Sequence, residues 1–191
     1  MSKIDKREEI IKTAMELIAE QGFHGTPMAL LSEKAGVGAG TIYRYFENKD
    51  VLIKELYNEI DKKFKAFLME NYPHERPVRE CFFYIGKCII EYFINKPLDF
   101  RYTEQFHNSP YGIEFRRNKL INLTGEDYFC RILFEKGREQ QVIKTIPLVI
   151  FFDLAFAPII WAVRDHILGF VTLDEDLKMQ IVSSCWDSVK M

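Results

Sequence analysis

An excess of positive charge is missing from this chain. It carries 26 Lys and Arg against 28 Asp and Glu, a formal net charge of -2. The N-terminal quarter is no different. Lys3, Lys6, Arg7, Lys12, Lys34, Arg44 and Lys49 face Asp5, Glu8, Glu9, Glu16, Glu20, Glu33, Glu47 and Asp50. A protein that clings to nucleic acid by bulk charge is thereby excluded, so any DNA contact has to rest on where charge is placed. Cysteine is scarce too. Cys81, Cys88, Cys130 and Cys185 form no Cys-x-x-Cys pair, which argues against a zinc ribbon or a disulfide framework and fits free thiols in a reducing compartment. His24, His74, His107 and His166 are scattered, and no His-Glu-x-x-His, Gly-x-Ser-x-Gly or phosphate-loop motif occurs. The expectation is a protein that is not an enzyme, with no cofactor and no metal site.

No apolar signal region opens the chain, and the Asn122-Leu123-Thr124 sequon reads as chance. One apolar run, Ile146 to Val163, is interrupted by Pro147, Asp153 and Pro158. It is barely long enough to span a bilayer, where a central Asp would cost about 2.5–3.5 kcal/mol. A cytoplasmic protein that does not enter membranes is expected, with this run buried in an oligomer.

What is present is helical periodicity, in a chain that is 48% apolar. Residues 4–21 place Ile10, Ile11, Ala14, Leu17 and Ile18 on one face, and Gly22 ends that helix. Thr26-Pro27 opens a second short helix, with Thr26 as its cap. Gly36 and Gly38 break it, and a third helix covers about 39–46. Asn48 caps a fourth, about 49–70, striped with Ile53, Leu56, Tyr57, Ile60, Phe64, Phe67 and Leu68. Further helices are predicted near 77–95, 98–107, 112–138, 145–169 and 174–189. The fold class is all-α: an N-terminal three-helix unit with a helix-turn-helix, joined through the fourth helix to a larger C-terminal bundle. The division is expected at 1–48 and 49–191, with the first unit's pattern running on to about residue 64.

Two short helices around a glycine-containing turn make the helix-turn-helix layout. Wound at 100° per residue, the third helix turns Ile42 and Phe46 inward and Gly40 and Arg44 outward, with Thr41 beside them and Tyr43 and Tyr45 on the flanks. Arg can read guanine or hold phosphate, and the hydroxyls suit phosphate oxygens. Gly40 inside a helix costs about 1 kcal/mol relative to Ala. Lys49 at a helix start opposes the macrodipole by roughly 0.3–1 kcal/mol, a penalty that a bound phosphate would reverse. Together these features point to DNA.

The stretch G-F-H-G-T from Gly22, followed by A-G-V-G-A-G-T-I-Y-R-Y-F-E-N-K-D-V-L from Ala35, resembles the DNA-binding segment of the TetR family of bacterial regulators. The resemblance covers about residues 4–60. It implies a homodimer with an N-terminal DNA reader and a C-terminal domain for ligand and dimerisation. It places the recognition helix at Ala39 to Phe46, phosphate contacts at Thr26, Tyr43, Tyr45 and Lys49, and base contacts at Thr41 and Arg44. Gly38, Ala39 and Gly40 complete the expected DNA-facing set. Gly38 stands where the family commonly has Ser, Ala39 where a longer polar residue is frequent, and Ser32 where Ala is usual.

Nearly half of the aromatic residues lie between Phe82 and Phe134, mixed with a few polar groups. Core packing accounts for most of them. A pocket for an apolar or aromatic effector is expected among Tyr102, Phe106, His107 and Tyr128. The last two helices are expected to form a two-fold seam through Trp161, Ile181, Val182, Trp186 and Val189, with Asp153 finding a buried partner or facing the pocket. The function expected is a sequence-specific repressor of a palindromic double-stranded operator, released by a small hydrophobic ligand. The alternative is a ligand-independent DNA-binding protein of the same fold acting through protein partners.

Overall fold

Apolar spacings of three and four wind the chain into eleven helices among the described residues, 6–121 and 129–191 of the computed structural model. In order they are α1 (Lys6–Gln21), α2 (Met28–Lys34), α3 (Ala39–Tyr45), α4 (Lys49–Met69), α5 (Val78–Asn95) and α6 (Pro97–His107). There follow α7 (Pro110–Leu120), α8 (Phe129–Glu139), α9 (Leu148–Ala155), α10 (Ala157–Ile167) and α11 (Glu175–Val189). Among the described residues the only β pairing is an isolated antiparallel bridge between Ile143 and Lys190. The all-α expectation therefore holds.

Two helix expectations need correction. The single helix expected over 145–169 is two, broken at Phe156, whose φ of -125° and ψ of -25° leave the helical region. Pro158 is the cause. It lacks an N–H and cannot bond back to the carbonyl four residues earlier, that of Leu154. The Ser188 hydroxyl lies 3.3 Å from that carbonyl and also bonds the Cys185 carbonyl, at 2.7 Å. No helix among the described residues is long and apolar enough to cross a membrane. The helix expected over 112–138 is described as α7, beginning at Pro110, and α8, beginning at Phe129. The sequon at Asn122 lies outside the described residues.

The chain divides into two compact units. The first takes the chain up to Lys63 together with Pro97–Ile113. Its core gathers Ile10, Ala14 and Ile18 of α1, Leu31 of α2, Ile42 of α3 and Leu52, Ile53 and Leu56 of α4. Helix α6, distant in sequence, packs on α1. The Tyr102 hydroxyl donates to the Ile53 carbonyl at 2.8 Å, and the Phe106 ring stacks on Tyr57 at 3.8 Å. Gly22 ends α1 with φ +70°, in the left-handed region that glycine enters without steric cost. The Asn48 side chain caps α4 by accepting from the Val51 N–H at 3.0 Å.

The second unit takes Phe64–Lys96 and the chain from Glu114 onward. Helix α5 runs through its centre, packed by α8, α10 and α11. Phe82 lies against Phe156 and Trp186, with centroids 5.4 and 5.2 Å away. At Gly86 the crossing with α11 is so tight that an added Cβ would stand 2.9 Å from Val182 Cγ1. Asp153 has a partner, though not the buried one expected. Arg116 Nη2 donates to its Oδ1 at 2.6 Å, although the pair is half-exposed rather than buried.

Candidate nucleic-acid interface

Helix α3 has two unlike sides. Ile42 and the following Phe46 are fully buried and fix the helix to the first unit. Ser32 on α2 secures the turn between them. Its hydroxyl donates to the Val37 carbonyl at 2.8 Å, and its own carbonyl accepts from the Val37 N–H at 3.1 Å. Gly36 in that turn has φ +62°. A hydroxyl at position 32 therefore stiffens the helix-turn-helix, a role that sequence reasoning missed.

The other side of α3 is open. Gly38, Ala39 and Gly40 are exposed, Tyr43 is 51% exposed, Arg44 is exposed, and Thr41 and Tyr45 are half-buried. Six DNA-facing candidates from Ala39 to Tyr45, with Gly38 before them, thus lie on or beside one short helix. The Arg44 guanidinium sits 5.1 Å from the Tyr45 ring centroid, and its Nη2 approaches the Tyr45 hydroxyl at 3.5 Å. A Cβ added at Gly38 or Gly40 would meet nothing within 4 Å. Packing inside the chain does not require glycine at either place.

The remaining two candidates stand apart. Thr26 is only 3% exposed, and its hydroxyl donates to the Gly22 carbonyl at 3.0 Å. It does not cap α2, whose N-cap is Pro27 without a side-chain bond. The hydroxyl expected to face phosphate therefore ties the α1–α2 turn instead. The Lys49 ammonium donates to the Phe23 carbonyl, and its partial burial pushes its pKa below the usual lysine range, against the attraction of Asp50.

A set of ties around the start of α4 had no clear signal in the sequence. The Tyr111 hydroxyl donates to Asp50 Oδ1 at 2.5 Å, and this bond, with burial, pushes the phenol up to about 12. The Phe23 ring meets both Tyr102 and Tyr111 edge-on. Arg7 donates to Glu59 at 2.9 Å and Glu55 at 2.8 Å, linking α1 to α4, and its guanidinium lies 5.5 Å from the Phe46 ring. These ties fix the elements that carry α3.

The described effector candidates lie together on α6. Tyr102 and Phe106 are core of the first unit, 0% and 3% exposed. His107 is exposed, with Nε2 3.4 Å from the Tyr57 hydroxyl, and Tyr128 lies outside the described residues. A cleft of about 620 Å³ lies in the second unit, walled by Leu120, Phe134, Ile146 and Leu148, with Arg131, Arg138, Glu135 and Glu139 in its lining. The seam candidates also divide. Val182, Trp186 and Val189 are buried within the single chain, because that face of α11 packs on α5 and its neighbours. Ile181 is half-buried and Trp161 is 58% exposed. Among the described residues no group of three or more His, Cys, Asp or Glu is placed to hold a metal.

An anchored two-helix turn with an open, hydroxyl- and guanidinium-bearing second helix defines a helix-turn-helix DNA-binding protein. Residues 10–56 match the sequence profile of bacterial regulatory proteins of the tetR family, and residues 77–190 match that of the tetracyclin repressor-like C-terminal domain. A helix-turn-helix transcriptional regulator of Haemophilus influenzae is 29% identical over 129 residues, covering 68% of this chain and 68% of that protein. The solved structure of a TetR-family regulator from Vibrio parahaemolyticus is 28% identical, covers 98% of this chain and 99% of the other, and superposes with a TM-score of 0.78. FadR of Bacillus subtilis, solved in complex with stearoyl-CoA, shares the fold at 18% identity and a TM-score of 0.70, covering 95% of this chain and 96% of its own. The chain belongs to the TetR family and is a helix-turn-helix transcriptional regulator.

Proposed function

We propose that this chain is a homodimeric repressor whose two copies of α3 read successive major grooves of a palindromic operator, and that a small apolar or aromatic molecule releases it. The observation that carries the DNA reading is the two-sidedness of α3, with Ile42 buried and Thr41, Tyr43 and Arg44 on the open side. Residues 1–48 supply the reading surface, and 49–191 supply dimerisation and effector binding. The copies would stand about 34 Å apart, one turn of DNA.

The surface proposed for the two-fold seam is the exposed apolar side of α9 and α10, where Ile150, Leu154 and Trp161 remain accessible in the single chain. Large apolar side chains left exposed in this way favour a partner, and a self-complementary surface closes as a dimer. The effector is assigned to the second unit. Its cleft of about 620 Å³ has apolar walls with two guanidiniums and two carboxylates, those of Glu135 and Glu139, in its lining, and the fold relative FadR was solved with stearoyl-CoA. Pockets of about 300–1,000 Å³ suit small ligands. Effector binding would weaken operator affinity through a coupling of about 1–3 kcal/mol.

Genome-wide footprinting with the purified chain tests the reading. One or a few palindromes protected near promoters, lost in Arg44→Ala, are expected. Uniform, sequence-blind protection would overturn the assignment.

A further inference from the structure

With α3 taken as the element that enters DNA, we infer that Arg44 reads a single guanine in each half-site and that Gly40 keeps the path to it open. Among the side chains on the open face, only the Arg44 guanidinium offers two parallel donors that match guanine N7 and O6. Thr41, Tyr43 and Tyr45 each bring one hydroxyl, which suits phosphate oxygens. Of the other two candidates, Thr26 is bonded to the Gly22 carbonyl, and Lys49, with one of its three donors on the Phe23 carbonyl, is a point charge suited to phosphate rather than to a two-donor base contact. Direct base reading thus narrows to one long side chain.

The surroundings of Arg44 fit that task. Arg7 and Arg116 are held by carboxylates at 2.8–2.9 and 2.6 Å, whereas Arg44 rests on the Tyr45 ring at 5.1 Å. Its charge is left for an outside partner, and the aromatic platform limits the rotamers it must give up on binding. Helical side chains lean toward the N-terminus, so a guanidinium swung off the Tyr45 ring toward a base would cross the strip of surface over the residue four earlier. That residue is Gly40, where an added Cβ would meet nothing within 4 Å of the fold. The fold has room for a side chain there, and Gly40 leaves that strip to the guanidinium.

In vitro selection of duplexes from a random library, with the full chain and with Arg44→Ala and Gly40→Leu, is the test. The wild-type chain is expected to select half-sites with one dominant G·C pair. Both variants should keep the half-site spacing and lose the preference at that pair. Replacing that guanine by 7-deazaguanine, which lacks the N7 acceptor, should weaken wild-type binding by roughly 5- to 150-fold. This arm uses the unaltered protein, so a folding defect in a variant cannot mimic the result. Unchanged guanine preference in Arg44→Ala, or unchanged affinity for the 7-deaza duplex, would show Arg44 to be a phosphate contact and overturn the inference. Retained preference in Gly40→Leu would overturn the part assigned to Gly40. Failure of the wild-type chain to select any duplex would remove the DNA reading itself, a different outcome from either.

Discussion

The Tyr111 hydroxyl donates to Asp50 Oδ1 at 2.5 Å and so ties the beginning of α7 to the first turn of α4. Asp50 follows Lys49, whose ammonium holds the Phe23 carbonyl, and the Phe23 ring returns to Tyr111 edge-on at 5.8 Å. Tyr111→Phe deletes one exposed hydrogen bond to a carboxylate. The cost expected is about 0.5–1.5 kcal/mol, read as a lower urea midpoint with an unchanged slope. An unchanged midpoint would show the bond to be solvent-exchanged and of no net value.

The same tyrosine gives an alkaline signature. Its pKa is pushed up to about 12, first by the bond to Asp50 and then by burial, while an unfolded tyrosine titrates near 10. Burial raises Tyr57 and Tyr102 as well. Folded phenols therefore hold their protons more tightly than unfolded ones. The stability they contribute is fully present below about pH 10 and is lost as pH rises through about 12. Unfolding midpoints measured at about pH 9 and about pH 11 should fall, and Tyr111→Phe should flatten part of that slope.

Two glycine-to-alanine changes should have opposite signs. At Gly40 the new methyl meets open space and the helix gains propensity, so stability should rise by up to about 1 kcal/mol. At Gly86 the methyl would press on Val182 at 2.9–3.0 Å and on Ile159 at 3.2 Å, within the packed core of the second unit. Overpacking there should cost about 1–3 kcal/mol. Thermal melts of the two variants would check both signs.

Association and folding should separate along α10 and α11. Trp161→Glu alters a side chain that is 58% exposed and should shift the sedimenting species toward the single chain without unfolding it. Val182→Ala removes two methyl groups from a site that is 1% exposed and should cost about 2 kcal/mol of stability instead. If Trp161→Glu left a dimer intact, the seam would have to lie elsewhere.

Much of the first unit was legible because its signals are local. Gly22 and Gly36 take positive φ, Asn48 caps α4, and Ile42 and Phe46 turn inward as the 100° winding requires. Thr26 was misread because a Thr before Pro carries the same local pattern whether its hydroxyl caps forward or bonds back to Gly22. The ties among Phe23, Lys49, Tyr102 and Tyr111 were invisible for another reason. They join residues 26, 49 and 61 positions apart, and no periodicity reports such pairings. The apolar face of α11 was legible as a buried face. Its partner was not, because α5 and a second copy of the chain would bury Val182 and Trp186 equally well.

Helix α6 packs on α1, and Tyr102 and Phe106 reach Ile53 and Tyr57 within the same unit. The DNA reader is consequently not a portable N-terminal cassette. A chain cut at Lys63 would leave the docking surface of α6 uncovered, and a chimera that exchanged only the first sixty residues would ask foreign rings to fill it. Recombination that respected this unit would have to carry Pro97–Ile113 along with the head, which limits how freely the two units of this chain can be exchanged for foreign ones.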